Sequence, residues 1–119
     1  MANELLDTLI DMTQINNLKS LFNEGFEPFL VSFYEDFESK EQELEAAIQS
    51  NQMDAVSKIA HSLKGNSLNL GALGLANLCG KIEVASKTGA TVDIYDAQKE
   101  LKAMYPLVKA EFNRISSIH

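Results

Sequence analysis

The sequence predicts an all-α protein, an antiparallel up-and-down four-helix bundle with an N-terminal helical extension. Three observations carry that expectation. Apolar residues recur three and four positions apart through almost the whole chain, the spacing that lines one face of an α-helix. Strand-like alternation never lasts more than a few residues, and no hairpin-forming residue pair occurs. The periodic stretches are separated by short turns, which make consecutive helices antiparallel neighbours.

The first helix, or pair of short helices, is expected over about residues 4 to 23, with Leu5, Leu9, Ile15, Leu18 and Phe22 on its apolar side. Thr13 is its expected internal N-cap and Gly25 its break. A long second helix follows from about Glu27 to Ser50, with Pro28 tolerated in the first turn. Phe29, Leu30, Phe33, Phe37, Leu44, Ala47 and Ile48 form its stripe. After the Asn51-Gln52 turn, a third helix carries His61 and ends near Asn69-Leu70-Gly71, where glycine suits a helix terminus. The fourth covers about Ala72 to Lys87, with Leu75, Leu78, Cys79, Ile82 and Ala85 inward, and stops at Thr88-Gly89. Thr91 or Asp93 is expected to cap the last helix, whose stripe is Ile94, Leu101, Met104, Tyr105, Val108, Phe112 and Ile115. Pro106 lies inside it, where the ring removes a hydrogen bond and crowds the Lys102 carbonyl, so a kink or break is expected.

A chain of 119 residues is one domain, taken here as residues 1–119 with the bundle core at about 26–117 and the N-terminal helical segment at about 4–23. No run of about 18 apolar residues is present, and the acidic N-terminus does not resemble a signal peptide, so no membrane association is expected. The single cysteine, Cys79, sits among Leu75, Leu78 and Ile82 and reads as a buried thiol of a cytoplasmic protein. Seventeen acids against ten bases give a net charge of −7, which makes nucleic acid a poor partner. The charge is uneven: six acids and one lysine stand between Glu35 and Glu45, whereas Ala55 to Ile82 holds Lys58, Lys64 and Lys81 and no acid. An anion is therefore drawn to the third helix, and a carboxylate that would hold the imidazole protonated is missing from the local sequence.

On a helical wheel Val56, Ile59, Leu63 and Leu70 cluster roughly 180° from His61, leaving the imidazole exposed. Ser57, Lys58, Lys64, Gly65 and Leu68 lie on the histidine's own side. A histidine is substantially neutral, and so nucleophilic, near pH 7. Lys64 places an ammonium one turn away. Gly65 occupies a helix interior, where glycine costs about 1 kcal/mol against alanine, and the expected reason is close approach of something bulky. A lone surface histidine is ordinarily just solvated; three residue types at helical spacing, each with a use toward one incoming phosphate, argue for a site. Other chemistries are unsupported. The Glu-x-x-His pairs of di-iron bundles are absent, Gly80-Lys81-Ile82 lacks the hydroxyl of a P-loop, and no nucleophile–histidine pairing is readable. An ATP-binding kinase core does not fit this length.

The run Ala60-His61-Ser62-Leu63-Lys64-Gly65-Asn66-Ser67, then Asn69-Leu70-Gly71-Ala72, Leu75, Leu78-Cys79 and Ile82-Glu83, closely resembles the histidine-containing phosphotransfer (HPt) domain of bacterial phosphorelays. The resemblance is strongest over residues 55 to 84. It implies that His61 carries the phosphoryl group, Lys64 stabilises it and Gly65 leaves room for the partner, with Ser57, Lys58 and Leu68 as docking residues. The donor implied is the receiver domain of a hybrid sensor histidine kinase, and the acceptor a downstream response regulator. Magnesium is expected in the receiver's acidic pocket; no cofactor or metal is expected in this chain, nor autokinase activity. Asn66 departs mildly from the family's small residues and is expected to touch only the inner packing. Met1 and the self-contained helices favour a free-standing monomeric carrier over a module of a larger kinase. The competing expectation is a non-catalytic helical adaptor binding a signalling partner through the His61 face.

Overall fold

The computed structural model describes residues 9–116. They form five α-helices and no strand: α1 Met12–Phe22, α2 Phe26–Gln49, α3 Met53–Leu70, α4 Leu73–Thr88 and α5 Thr91–Ser116, with a 3₁₀ turn at Asn23–Gly25. Helices α2 to α5 make the antiparallel bundle: α3 packs on α2 and α4, and α5 on α4 and α2. The expected start of the first helix, including Leu5, lies outside the described residues. Among these residues no helix is long and apolar enough to cross a membrane.

The stripes read from the sequence make the core. Leu30, Phe37, Leu44, Val56, Leu63, Leu75, Ile82, Leu101 and Phe112 are all but fully buried, and Phe37 stacks on Tyr105 with ring centroids 4.5 Å apart. Burying aliphatic and aromatic side chains of this size is worth about 1.5–3 kcal/mol each, an upper bound because the unfolded chain is partly collapsed. Tyrosine hydroxyls join α2 to α5 at the edge of this core. Tyr34 donates to Asn113 Oδ1 at 2.8 Å, and Tyr105 donates to Glu38 Oε2 at 2.7 Å.

Four local expectations are corrected. Asp11, not Thr13, caps α1, its carboxylate accepting from Gln14 N at 3.2 Å. The break after α1 falls at Asn23, which takes φ 49°, while Gly25 has φ −78° and precedes α2. An asparagine side chain tolerates the left-handed region, so the break did not need glycine. Thr91 is the first residue of α5 and Asp93 lies in its first turn; the carbonyl of Ala90 accepts from Ile94 N at 3.2 Å. Finally, of the kink or break expected at Pro106, the break does not occur, and α5 continues through it. Pro106 and Lys102 are both exposed, on the side of the helix where solvent can reach a carbonyl left without its donor.

Gly71 ends α3 with φ 87°; its N–H donates to Leu68 O at 3.1 Å and that of Ala72 to Ser67 O at 2.8 Å, the paired bonds of a Schellman terminus. The N-terminal extension closes onto this turn. Asp11 N donates to Gly71 O at 2.8 Å, Gln14 Nε2 to Asn69 O at 2.9 Å, and Ile15 is fully buried. Lys19 reaches Ile115 O at 3.3 Å, so α1 crosses the end of the bundle from α3 to α5. His61 therefore stands near mid-helix on α3, away from this closed end.

Candidate functional site

Helix α3 turns Val56, Ala60, Leu63, Ser67 and Leu70 inward. The buried arc is wider than the wheel proposed because α4 lies against the Ala60–Ser67 edge, and Ile59 is only partly covered. His61 projects from the opposite side with 68% of its side chain exposed. Lys64 leans toward α4 and Asn66 toward α2, so the imidazole stands between those two helices.

The carboxylate missing from the local sequence is supplied by the neighbouring helix. Glu83 of α4 sets Oε2 3.0 Å from His61 Nδ1 and Oε1 3.1 Å from Lys64 Nζ. Lys87, one turn along α4, stands 3.5 Å from Oε2. Only 12% of the Glu83 side chain is exposed. Burial pushes its carboxyl upward, but the hydrogen bond and charge of Lys64, then those of His61, outweigh that and hold it below the usual carboxylate range. Glu83 is thus ionised at neutral pH. An ionised carboxylate only accepts, so Nδ1 of His61 carries the hydrogen, and in the neutral ring the lone pair is on Nε2, directed away from Glu83. Exposure alone favours Nε2 as the outer nitrogen, and the Glu83 contact supports the same nitrogen on independent, chemical grounds.

Lys64 is already engaged with Glu83. An ammonium has three N–H donors, so it can keep that carboxylate and still donate to an oxygen arriving at His61. Gly65 is half-buried on the α2 side of His61, and a Cβ built there meets no atom within 4 Å. The space beside the imidazole is therefore open. Of the three docking candidates, Leu68 is 49% exposed, Lys58 is exposed and Ser57 is half-buried on the same face. Asn66 does not disturb the interior: its Nδ2 donates to Asp36 Oδ2 at 2.7 Å, and Lys40 holds the same carboxylate at 2.7 Å. The inward residue at that turn is Ser67, whose buried hydroxyl has no protein partner among the described residues. Cys79 is buried as expected, its thiol pushed up to about 12 by burial first and Glu41 second. Among the described residues no three His, Cys, Asp or Glu side chains gather where a metal ion could be held.

The residue missed in the sequence, Glu83, is the first acid after Asp54, and it falls on the side of α4 that faces α3. A carboxylate ending so long an acid-free stretch, followed by Lys87 at helical spacing, was the available signal.

With this geometry in place, comparison with known proteins gives a consistent result. A family profile described as Hpt domain matches residues 28–111. The crystal structure of histidine-containing phosphotransfer protein B (HptB) from Pseudomonas aeruginosa PAO1 superposes with a TM-score of 0.88 at 24% identity, covering 93% of this chain and 96% of that one. Histidine-containing phosphotransfer protein MtHPt2 from Medicago truncatula superposes with a TM-score of 0.82 at 20% identity, covering 98% of this chain and 82% of that one. At such identities the two structures establish the shared helical fold. No curated protein sequence matches the chain. The profile spans most of the length, including the whole of α3 and α4, and so the chain belongs to the Hpt domain family, as a histidine phosphotransfer intermediate of two-component signalling.

Proposed function

We propose that His61 is the residue that carries the phosphoryl group, and that Nε2 is the atom that bonds it. The observation that carries the reading is the Glu83 contact, which holds hydrogen on Nδ1 and leaves a lone pair on the exposed Nε2. Hpt domains in phosphorelays interact with receiver domains and response regulators. On this reading the donor is an aspartyl phosphate on the receiver domain of a hybrid sensor kinase, and the acceptor is an aspartate of a response regulator.

The Nε2 lone pair attacks phosphorus in line with the aspartyl oxygen. The N–P bond forms as the P–O bond breaks, and the carboxylate leaves with the electron pair. No proton moves; the phosphorylated ring keeps the Nδ1 hydrogen and gains positive charge beside the Glu83 carboxylate. Phosphoryl transfers pass through loose transition states in which positioning and charge stabilisation dominate. Glu83 sets the tautomer and faces the developing cation, Lys64 donates to an equatorial oxygen, and the open space over Gly65 admits the receiver. Magnesium belongs to the receiver's acidic pocket in this scheme. The chain acts as a cytoplasmic, monomeric phosphocarrier with no autokinase step.

The test is labelling. Purified protein incubated with ATP alone stays unlabelled and becomes labelled once a kinase and its receiver are added. The label is acid-labile and base-stable, as a phosphoramidate is, and His61→Gln abolishes it. A label that persists in His61→Gln rejects the assignment.

A further inference from the structure

Helices α3 and α4 contain Gly65, Gly74 and Gly80, although only proline is less favoured than glycine within a helix. None of the three has positive φ, so the backbone itself does not require glycine at any of them. Their surroundings differ. A Cβ at Gly74 would stand 2.5 Å from Leu9 Cδ2 and 2.7 Å from Met104 Sδ, so that glycine is required by close packing. A Cβ at Gly65 would enter open space. At Gly80, among the described residues, a Cβ would meet only Cδ of Lys64, at 3.4 Å. The space left at Gly80 is thus bounded by the stem of the lysine that stands beside His61.

Lys64 starts on α3 and its Nζ ends 3.1 Å from Glu83 Oε1 on α4. Gly80 lies three residues before Glu83, on the same face of α4 and one turn nearer its N-terminus. The stem of Lys64 therefore crosses α4 at Gly80 on its way to the carboxylate. A lysine stem is four flexible carbons that lose much rotamer freedom when held in one path. Here the tip is held by Glu83 and the stem lies against the notch at Gly80, leaving 35% of the side chain exposed. A methyl group at position 80 would touch Cδ at ordinary van der Waals distance. A β-branched side chain carries two γ-carbons and has one favoured rotamer in a helix, so it cannot turn aside as a linear chain does. We propose that Gly80 is a positioning residue for phosphoryl transfer: the notch it leaves on α4 carries the Lys64 stem to Glu83 and so keeps the ammonium beside His61. The consequence for transfer rests on His61 being the phosphoacceptor; the placement of Lys64 does not.

The test compares Gly80→Ala, Gly80→Val and Gly80→Leu in the full chain, each alone and combined with Lys64→Ala. Leucine is a good helix former, so an effect shared by valine and leucine is not one of helix propensity, and circular dichroism checks that each variant folds. Carbon NMR of the free protein follows the Glu83 carboxyl, which faces His61 and Lys64 on α3 and Lys87 on its own helix. Gly80→Val and Gly80→Leu move its titration upward, as Lys64→Ala does, whereas Gly80→Ala leaves it in place. In single-turnover transfer from a phosphorylated receiver that labels the wild type, Gly80→Val lowers the saturating rate about tenfold, within the range for a lost charge-assisted contact. Its apparent KM stays within about twofold of wild type, as expected for an interaction that acts only in the transition state. In the Lys64→Ala background the same substitution changes neither the titration nor the rate, because the lysine through which it acts is gone. A Glu83 titration unmoved by both Gly80→Val and Gly80→Leu overturns the proposal. A raised KM that persists in the Lys64→Ala background assigns the space at Gly80 to the approaching partner and also overturns it. A label that survives His61→Gln removes the phosphoacceptor reading, and with it the role in transfer, while the Glu83 titration still decides whether Gly80 places Lys64.

Discussion

Replacing Glu83 separates a chemical role from a structural one. Its two oxygens serve two donors, His61 Nδ1 at 3.0 Å and Lys64 Nζ at 3.1 Å. Glu83→Gln leaves one acceptor oxygen and no charge, so either the lysine or the imidazole loses its partner. A hydrogen bond involving a charged group contributes about 1.5–3 kcal/mol and a neutral one about 0.5–1.5 kcal/mol. The difference, about 1 kcal/mol, is what the ring forfeits as positive charge develops on it, equivalent to about fivefold in rate. Glu83→Ala removes the bond as well, about 2 kcal/mol or roughly thirtyfold. The largely exposed imidazole keeps these figures at the low end through solvent screening, and added salt reduces them further. Single-turnover transfer from a saturating receiver measures the rate, and nitrogen chemical shifts of the His61 ring report the tautomer. Wild-type protein is expected to show the hydrogen on Nδ1, and the variants a mixture. Fold stability changes by under about 1 kcal/mol, because a near-surface ion pair contributes little. Equal transfer rates in all three proteins, or a wild-type ring with its hydrogen on Nε2, refute the reasoning.

Three further outcomes are expected. Lys64→Ala slows transfer by about 1–3 kcal/mol of barrier without unfolding the bundle, and carbon NMR shows the Glu83 titration moving up toward the ordinary carboxylate range. The sign follows from linkage: a carboxyl held low in the folded protein stabilises it fully above the unfolded-state value and loses that contribution as pH falls through the folded one, so Lys64→Ala makes acid unfolding less steep. Gly65→Ala melts higher by about 0.5–1 kcal/mol because its Cβ enters open space in a helix, whereas Gly65→Gln folds, by circular dichroism, and transfers poorly because the longer chain fills the approach to His61. Gly71→Ala destabilises by about 1–2 kcal/mol, read by denaturant titration, since φ 87° disfavours a side chain and the new Cβ would stand 3.1 Å from Asp11 O.

The helices were legible because their signal is local. Stripes such as Leu30-Phe33-Phe37 and Leu75-Leu78-Cys79-Ile82 place the same residues in the core that the structure does, and the C-terminal glycines of α3 and α4 take φ 87° and 74°. Terminal details were less legible where several residue types satisfy the same requirement. Asp11 and Thr13 are both competent caps, and only the fold decides that Asp11, anchored to Gly71 O, is in position. Asn23 and Gly25 both tolerate unusual backbone, and the left-handed residue was the asparagine. Pro106 was read by its cost within an isolated helix, but its neighbours on α5, Tyr105 and Val108, are buried and hold the helix across it.

The site divides along the same line. His61, Lys64, Gly65 and Leu68 lie on one helix, so their mutual arrangement follows from 3.6 residues per turn and needed no fold. Glu83 depends on how α4 lies against α3, and nothing in the spacing of 22 residues dictates a 3.0 Å contact. The omission mattered chemically. For a histidine with lysines and no acid nearby, only exposure points to Nε2 as the outer nitrogen. Adding a half-buried, ionised carboxylate at Nδ1 supports the same nitrogen on chemical grounds, and also changes what Lys64 is. Instead of a free ammonium waiting for phosphate, it is one of three donors around Glu83, beside the imidazole and Lys87. On the proposed reading the phosphoryl group arrives beside an ammonium that Glu83 already holds in place, so the lysine needs no large movement to reach it. Pre-positioned charge of this kind lowers reorganisation at the moment of transfer, and in the proposed scheme the onward transfer from His61 to a regulator would pass through the same arrangement.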